Sequence, residues 1–200
     1  MGSVPTPACL HDVGHLSLAH FGAVILLLYA HPHPRRSVAN RVLLDGVRDL
    51  DGVAVHALYD RYPDFAIDVP EERERLASAR LVVWQAPLYW YSVPALLKLW
   101  FEVVLTRGYA YGPGGTALEG KHCLWVTSTG AEPDAYTDAG RHAHTFGAFE
   151  PQIRQTARFC GMHWLEPLVV HGAHRVAPDV LHAAAQTYRQ RLESWRREHG

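Results

Sequence analysis

From residue 24 onward the chain alternates short, uniformly apolar runs with longer amphipathic stretches, the pattern of parallel strands joined by crossover helices. The run at 24–30, VILLLYA, is too short and too evenly apolar for a surface helix, and predicts a central strand buried on both faces. Ser37 is a candidate N-cap for a helix reaching about residue 50, with Val38, Val42, Leu43 and Val47 along one face. Further strands are expected at 53–58, 81–85 (LVVWQ), 121–127 and 165–171. Helices are expected at 70–79, 94–104, 149–160 and 178–198. Pro94 opens a helix that is apolar nearly all round apart from Lys98 and Glu102, so it must be buried on several sides. This count of strands and helices predicts an α/β fold, a flavodoxin-like three-layer sandwich with a five-stranded parallel sheet of order 2-1-3-4-5. Residues 24–200 read as that one domain. Residues 1–23 lack a basic start and are broken by Pro5, Pro7 and several histidines, so they read as a weakly structured extension and not a secretory signal.

Composition narrows the function classes. With 48% hydrophobic and 20% charged residues in a chain of 200, disorder, collagen and coiled coil are disfavoured. Nineteen Lys and Arg against twenty Asp and Glu leave no electrostatic footprint for nucleic acid or an anionic membrane. Small-molecule chemistry is the default. The longest apolar run is about eight residues, where a membrane-spanning helix needs about 20. Cys9, Cys123 and Cys160 are odd in number and widely spaced, which argues for free thiols in the cytosol. His31/His33, His142/His144, His171/His174 and Cys160 with His163 hint at metal binding, but no pair has a second pair at finger or zincin spacing, and no metal site is expected.

In an open doubly wound sheet, ligands bind beyond the carboxyl ends of the strands near the switch point, so the loops after strands one, three and four carry the chemistry. After strand one, His31-Pro-His-Pro-Arg-Arg-Ser-Val-Ala-Asn40 leads into a helix N-terminus, where backbone amides, the Ser37 hydroxyl and the Asn40 amide could meet a phosphate. The plainer reading makes Ser37 only a cap and His31 only a turn residue. After strand three, Trp84-Gln-Ala-Pro-Leu-Tyr-Trp-Tyr-Ser-Val-Pro94 places a cluster of aromatics where polar turn residues are usual. They could stack against a planar ring, or cap the core or an oligomer interface. After strand four, Thr127-Ser128-Thr129-Gly130 offers hydroxyls for a ring's polar edge, and the long loop 128–145 is placed as a lid. Walker and GxGxxG patterns are absent.

Together with Leu58-Tyr-Asp-Arg-Tyr-Pro-Asp-Phe65, Trp90-Tyr-Ser-Val-Pro-Ala-Leu-Leu-Lys-Leu-Trp100, Gly108-Tyr-Ala-Tyr-Gly-Pro-Gly-Gly-Thr-Ala-Leu118 and Cys160-Gly, these loops resemble the quinone reductase branch of the flavodoxin-like flavoproteins. Within it they are most similar to the flavin-binding ancillary subunits of glutathione-gated potassium efflux (Kef) systems. The resemblance implies FMN, with FAD as the alternative. Its phosphate would lie at His31, Ser37, Val38, Ala39 and Asn40, and its ring against Leu88, Tyr89, Trp90, Tyr91, Val126, Thr127, Ser128 and Thr129. It further implies two-electron hydride transfer from NAD(P)H to a quinone, with Tyr136 and His142 steadying the charge that develops, and His144 as the competing histidine. A homodimer is expected, since Leu96, Leu97, Leu99, Trp100, Phe101, Val103 and Val104 give the fourth-strand crossover helix more apolar surface than one sheet face buries. The partner implied is the cytosolic domain of a potassium efflux antiporter, which places the chain in the cytoplasm at the inner membrane face. A non-catalytic flavin-binding regulatory subunit is the alternative. Two features depart from the family pattern: Gly130-Ala-Glu-Pro133 replaces paired glycines after the threonines, and residues 1–23 have no counterpart.

Overall fold

The computed structural model describes residues 24–199; the extension expected at 1–23, with Cys9, lies outside them. Strands β1 (Ile25–Tyr29), β2 (Val53–Ala57), β3 (Leu81–Pro87), β4 (His122–Ser128), β5 (His163–Trp164) and β6 (Leu168–Val170) form one sheet, and every pairing between them is parallel. The order is β2-β1-β3-β4-β5, with β6 also paired to β4. The expected 2-1-3-4-5 order is therefore present, with the fifth strand divided in two. Its halves pair His122 with His163 and Val126 with Leu168, so four residue steps on β4 face five on the edge. The extra residue falls around Glu166 and Pro167, where a proline has no N–H to give the ladder and a bulge relieves the mismatch.

Alternate residues of each central strand enter two separate cores, as the period of two requires. Leu26, Leu28, Val82, Trp84, Cys123 and Trp125 pack beneath α2 (Leu58–Arg61), α3 (Val69–Ser78), α4 (Ala95–Val104) and α5 (Pro151–Phe159). Ile25, Leu27, Leu81, Val83, Leu124 and Val126 pack beneath α1 (Ala39–Asp45) and α6 (Pro178–His199) on the other face. Several boundaries differ from expectation. α1 stops at Asp45 rather than near Leu50 and continues as irregular turns, and Gly46 there lies so close to α6 that a Cβ would sit 3.1 Å from that of Ala185. α2 is a single turn that continues directly from β2, where an extended Leu58 was expected. Pro94 caps α4 from outside the helix, and α5 starts at Pro151 after a short 3-10 turn at Phe146–Ala148.

α4 also revises the basis for a dimer. Leu96, Leu97, Trp100, Phe101 and Val104 are buried within the chain itself, and Leu99 and Val103 are half-buried against the same core. The expected apolar surplus is largely consumed by α3 and its neighbours. The join between these elements is polar: Glu72 on α3, with no exposed surface, accepts hydrogen bonds from His56 Nε2 of β2 (2.7 Å), Tyr62 OH (2.6 Å) and Trp100 Nε1 of α4 (2.7 Å). Burial works to raise this carboxyl, but the bond and charge of His56 with the bonds from Tyr62 and Trp100 outweigh it and hold the group below its usual 4.5.

Candidate active site

The register sets Tyr29 opposite Gln85 and Pro87 opposite Ser128, so the loops that follow β1, β3 and β4 emerge side by side at the carboxyl edge of the sheet. In the first loop a 3-10 turn, Pro34–Arg36, carries the chain to Ser37. The Ser37 Oγ accepts the amide of Asn40 at 3.2 Å, so it caps α1 chemically even though regular helix begins at Ala39. That bond uses a lone pair of Oγ, and the amides of Val38 and Ala39 lack an acceptor among the described contacts. Asn40 is tied from both sides. Its Nδ2 donates to Ser128 Oγ at 2.7 Å, and its carbonyl accepts from Gln85 Nε2 at 2.8 Å. His31 is buried, accepts the His33 amide at Nδ1, and is held below 6.5 by burial and by His33. Burial, then Asp60, lifts the neighbouring Tyr29 phenol to about 12 against its hydrogen bond with Ser37, so it stays a proton donor beside this loop.

The second loop is a tight reversal. Tyr89 and Ser92 exchange both backbone hydrogen bonds at 3.0 Å, and the two central residues, Trp90 and Tyr91, both take positive φ, 49° and 62°. This is the two-residue hairpin geometry that normally selects Asn-Gly, here imposed on two aromatics. A bulky residue in the left-handed region costs about 1–2 kcal/mol. Trp90 keeps 92% of its surface exposed, so its own packing does not offset that cost. Tyr91 instead stacks on Phe149 at 4.9 Å and meets His142 edge-on at 5.6 Å.

The third loop folds back over the second. Gly140 allows this: a Cβ there would lie 2.4 Å from the carbonyl of Asp134. The His142 amide donates to Ala135 O, which brings the imidazole parallel to the Tyr136 ring at 4.6 Å. Tyr91 OH lies 3.3 Å from His142 Nδ1. His144 stays exposed and reaches only Phe149, so the geometry pairs Tyr136 with His142 and not with its rival. Leu88, Trp90, Tyr91, Gly130, Ala131, Tyr136, Arg141 and His142 enclose a cleft of about 280 Å³. Burial raises the Tyr136 phenol, opposed by a hydrogen bond with Thr129 and assisted by Tyr91.

Four buried polar atoms at this edge have no partner within the chain: Asn40 Oδ1, Gln85 Oε1, Thr127 Oγ1 and His142 Nε2. Buried polar atoms in folded proteins are nearly always satisfied, so these four are free to bond water or a ligand bound at this edge. Among the other expected residues, Val38 is exposed, Ala39 is buried against α1's core, Leu88 donates its amide to Ser128 O, and Tyr89 is exposed beside His31 at 6.4 Å. Val126 stands apart. Its side chain lies in the α1–α6 core and its backbone sits within the ladder between β3 and β6, so it supports the site from below and does not line it. Sequence reasoning passed over Gln85, legible as a lone amide ending an apolar strand, and Arg141, which a long loop concealed, and it weighed His171 only as half of a metal pair with His174. Among the described residues, no group of three or more His, Cys, Asp or Glu is arranged to hold a metal ion.

A sheet of this order with its polar residues gathered at the switch-point loops defines a flavodoxin-like protein, and the flavodoxin-like fold family matches residues 23–192. The chain belongs to that family and, within it, to the group containing the glutathione-regulated potassium-efflux system ancillary protein KefF. The KefF of Enterobacter sp. (strain 638) is 46% identical over 176 residues, covering 88% of this chain and 99% of that protein. General stress protein 14 of Treponema denticola, solved in complex with FMN, is 32% identical with a TM-score of 0.79, covering 85% of this chain and 98% of that one. An NADPH-quinone reductase from P. pentosaceus is 30% identical with a TM-score of 0.75, covering 83% and 95%.

Proposed function

We propose that the chain is a flavin-dependent NAD(P)H:quinone oxidoreductase that also serves as the ancillary subunit of a potassium-efflux antiporter. The observation that carries the enzymatic reading is the cleft between the Trp90–Tyr91 turn and the Tyr136–His142 pair, set beside four unpartnered buried polar atoms. Those donors and acceptors suit FMN, with FAD as the alternative. His31, Ser37, Asn40 and the amides of Val38 and Ala39 would hold the phosphate. The backbone of 88–91 would face the ring, and Thr127, Ser128 and Thr129 its polar edge. When bound, FMN supplies the two-electron hydride chemistry that links NAD(P)H to a quinone. The chain's own residues provide the surroundings for it. Tyr91, Tyr136 and Phe149 form an apolar wall that excludes water, which strengthens each hydrogen bond inside. Tyr136, kept protonated by burial, donates to the negative charge that develops, and His142, stacked on it, shares that charge.

The ancillary role is supported by near full-length similarity to the Enterobacter KefF, and it brings with it a cytoplasmic location at the membrane's inner face through the antiporter. Among the described residues no helix is long and apolar enough to cross a membrane, so attachment through a partner accords with this reading. Anaerobic stopped-flow mixing of flavin-loaded protein, first with NAD(P)H and then with a benzoquinone, tests the enzyme. The expected result is bleaching of flavin absorbance followed by rapid recovery. A flavin that NAD(P)H does not reduce would leave the non-catalytic regulatory subunit as the better reading. Co-purification with an antiporter's cytosolic domain tests the second role separately.

A further inference from the structure

The tight turn after β3 and the loop after β4 touch through one pair of side chains that carries more than packing. The Tyr91 phenol oxygen lies 3.3 Å from Nδ1 of His142, and the two rings meet edge-on at 5.6 Å. Both partners are held in place. Tyr91 stacks on Phe149 at 4.9 Å, its carbonyl accepts from the Gln152 side-chain amide at the start of α5, and its backbone sits at φ 62° inside the Tyr89–Ser92 pair. His142 donates its amide to Ala135 O at 3.0 Å, and its imidazole lies along the Tyr136 ring at 4.6 Å. Its other ring nitrogen, Nε2, is buried and has no partner within the chain. A phenylalanine at 91 would stack on Phe149 equally well. What the tyrosine adds is its hydroxyl, and the contact of that hydroxyl is with Nδ1.

The direction of this bond decides what Nε2 can do. A phenol donates readily because its ring draws in the oxygen lone pairs, and the bare nitrogen of a neutral imidazole is a good acceptor, so Tyr91 O–H donates to Nδ1. An imidazole that accepts at Nδ1 carries its proton on Nε2. We propose that Tyr91 is a positioning residue that fixes the tautomer and ring plane of His142, so that Nε2–H is presented as a donor to an acceptor atom of the molecule bound in the cleft. This rests on the reading of His142 as a group that steadies developing negative charge. The opposite tautomer would turn the Nε2 lone pair toward that charge and repel it. An imidazole free to exchange its proton visits both forms, whereas the phenol selects the useful one before any charge appears, which is preorganisation. The aromatic turn thus has a role besides walling the cleft: it sets the polarity of a group on the opposite loop.

The test has two arms, both on flavin-loaded protein. In the first, nuclear magnetic resonance of nitrogen-15-labelled histidine separates a protonated ring nitrogen from a bare one, at pH 8 where an imidazole is ordinarily neutral. His142 should carry its proton on Nε2, and Tyr91→Phe, which keeps the stack on Phe149, should let an Nδ1–H population appear. The second arm is a double-mutant cycle on quinone turnover. Tyr91→Phe should lower kcat about two- to tenfold, the effect of one ordinary hydrogen bond, with the flavin retained. In His142→Phe, which keeps a ring beside Tyr136 but has no nitrogen, the same substitution should lower kcat no further. An equal loss in both backgrounds would show that Tyr91 acts apart from His142 and would overturn the proposal. A wild-type proton on Nδ1, or a His142 held wholly as Nε2–H in Tyr91→Phe, would overturn it too. If NAD(P)H does not reduce the flavin, the enzyme reading fails, and the tautomer measurement, which needs no turnover, still decides whether Tyr91 sets His142.

Discussion

Glu72 accepts from three elements with no solvent to compensate a loss, so its replacement is felt at once. Glu72→Gln leaves one buried donor without an acceptor and should cost about 1–3 kcal/mol, measured by urea unfolding at pH 7. Because the native carboxyl titrates below its ordinary 4.5, its contribution is complete above that value and is lost as the pH falls through the lower native one. The wild-type protein should therefore lose stability below about pH 4.5 more steeply than Glu72→Gln does. At the carboxyl edge, Ser37→Ala with Asn40→Ala should weaken flavin retention, each lost charge-assisted bond being worth about 1.5–3 kcal/mol. Equal flavin affinity in the double variant and wild type, by equilibrium dialysis, would move the phosphate elsewhere.

The turn at 89–92 spends backbone energy on presenting an exposed indole. Trp90→Asn, which tolerates the left-handed region, should raise stability by about 1 kcal/mol in thermal unfolding, while Tyr91 keeps its stack on Phe149. No stabilisation would mean that Trp90 has compensating contacts. The same turn shows where sequence reading stops. Strands β1, β3 and β4 were legible because burial on both faces leaves an unbroken apolar run, and their carboxyl ends followed from the alternation with helices. Trp-Tyr at a two-residue hairpin was not legible, since turn chemistry predicts Asn-Gly there. The bulge between β5 and β6 was hidden because Leu165, Leu168, Val169 and Val170 look like one strand until the ladder is counted against β4. Tyr136 and His142 were reached by resemblance alone. Their contact depends on a fold at Gly140 that spacing does not encode.

Across the whole molecule, titratable groups collect at both ends of the sheet. Opposite the cleft, His122 and His163 open β4 and β5, and His199 closes α6, with His122 5.2 Å from His163 and 4.6 Å from His199 between ring centres. Burial, then His199, His163 and Arg80, lowers the His122 pKa. Its neutral form favours the fold above pH 6.5, and that contribution is lost as the pH falls from 6.5 toward the lower native value. The hydrogen-exchange protection factors of the last turn of α6, taken relative to intrinsic exchange at each pH, should fall between pH 7.5 and 5.5, and His122→Asn should remove most of that dependence. The homodimer expected from the apolar helix at 94–104 and the loop at 108–115 is kept as a proposal, although α4 itself is largely satisfied within the chain. Sedimentation of an active, flavin-bound monomer at micromolar concentration would contradict it. The divided edge strand bears on how such a dimer can form. An uninterrupted edge is a template on which any other extended chain can zip, and this one offers only two and three paired residues on either side of a proline. Copies of the protein are thereby kept from joining into a continuous sheet, so they can crowd together without seeding fibrils along that edge.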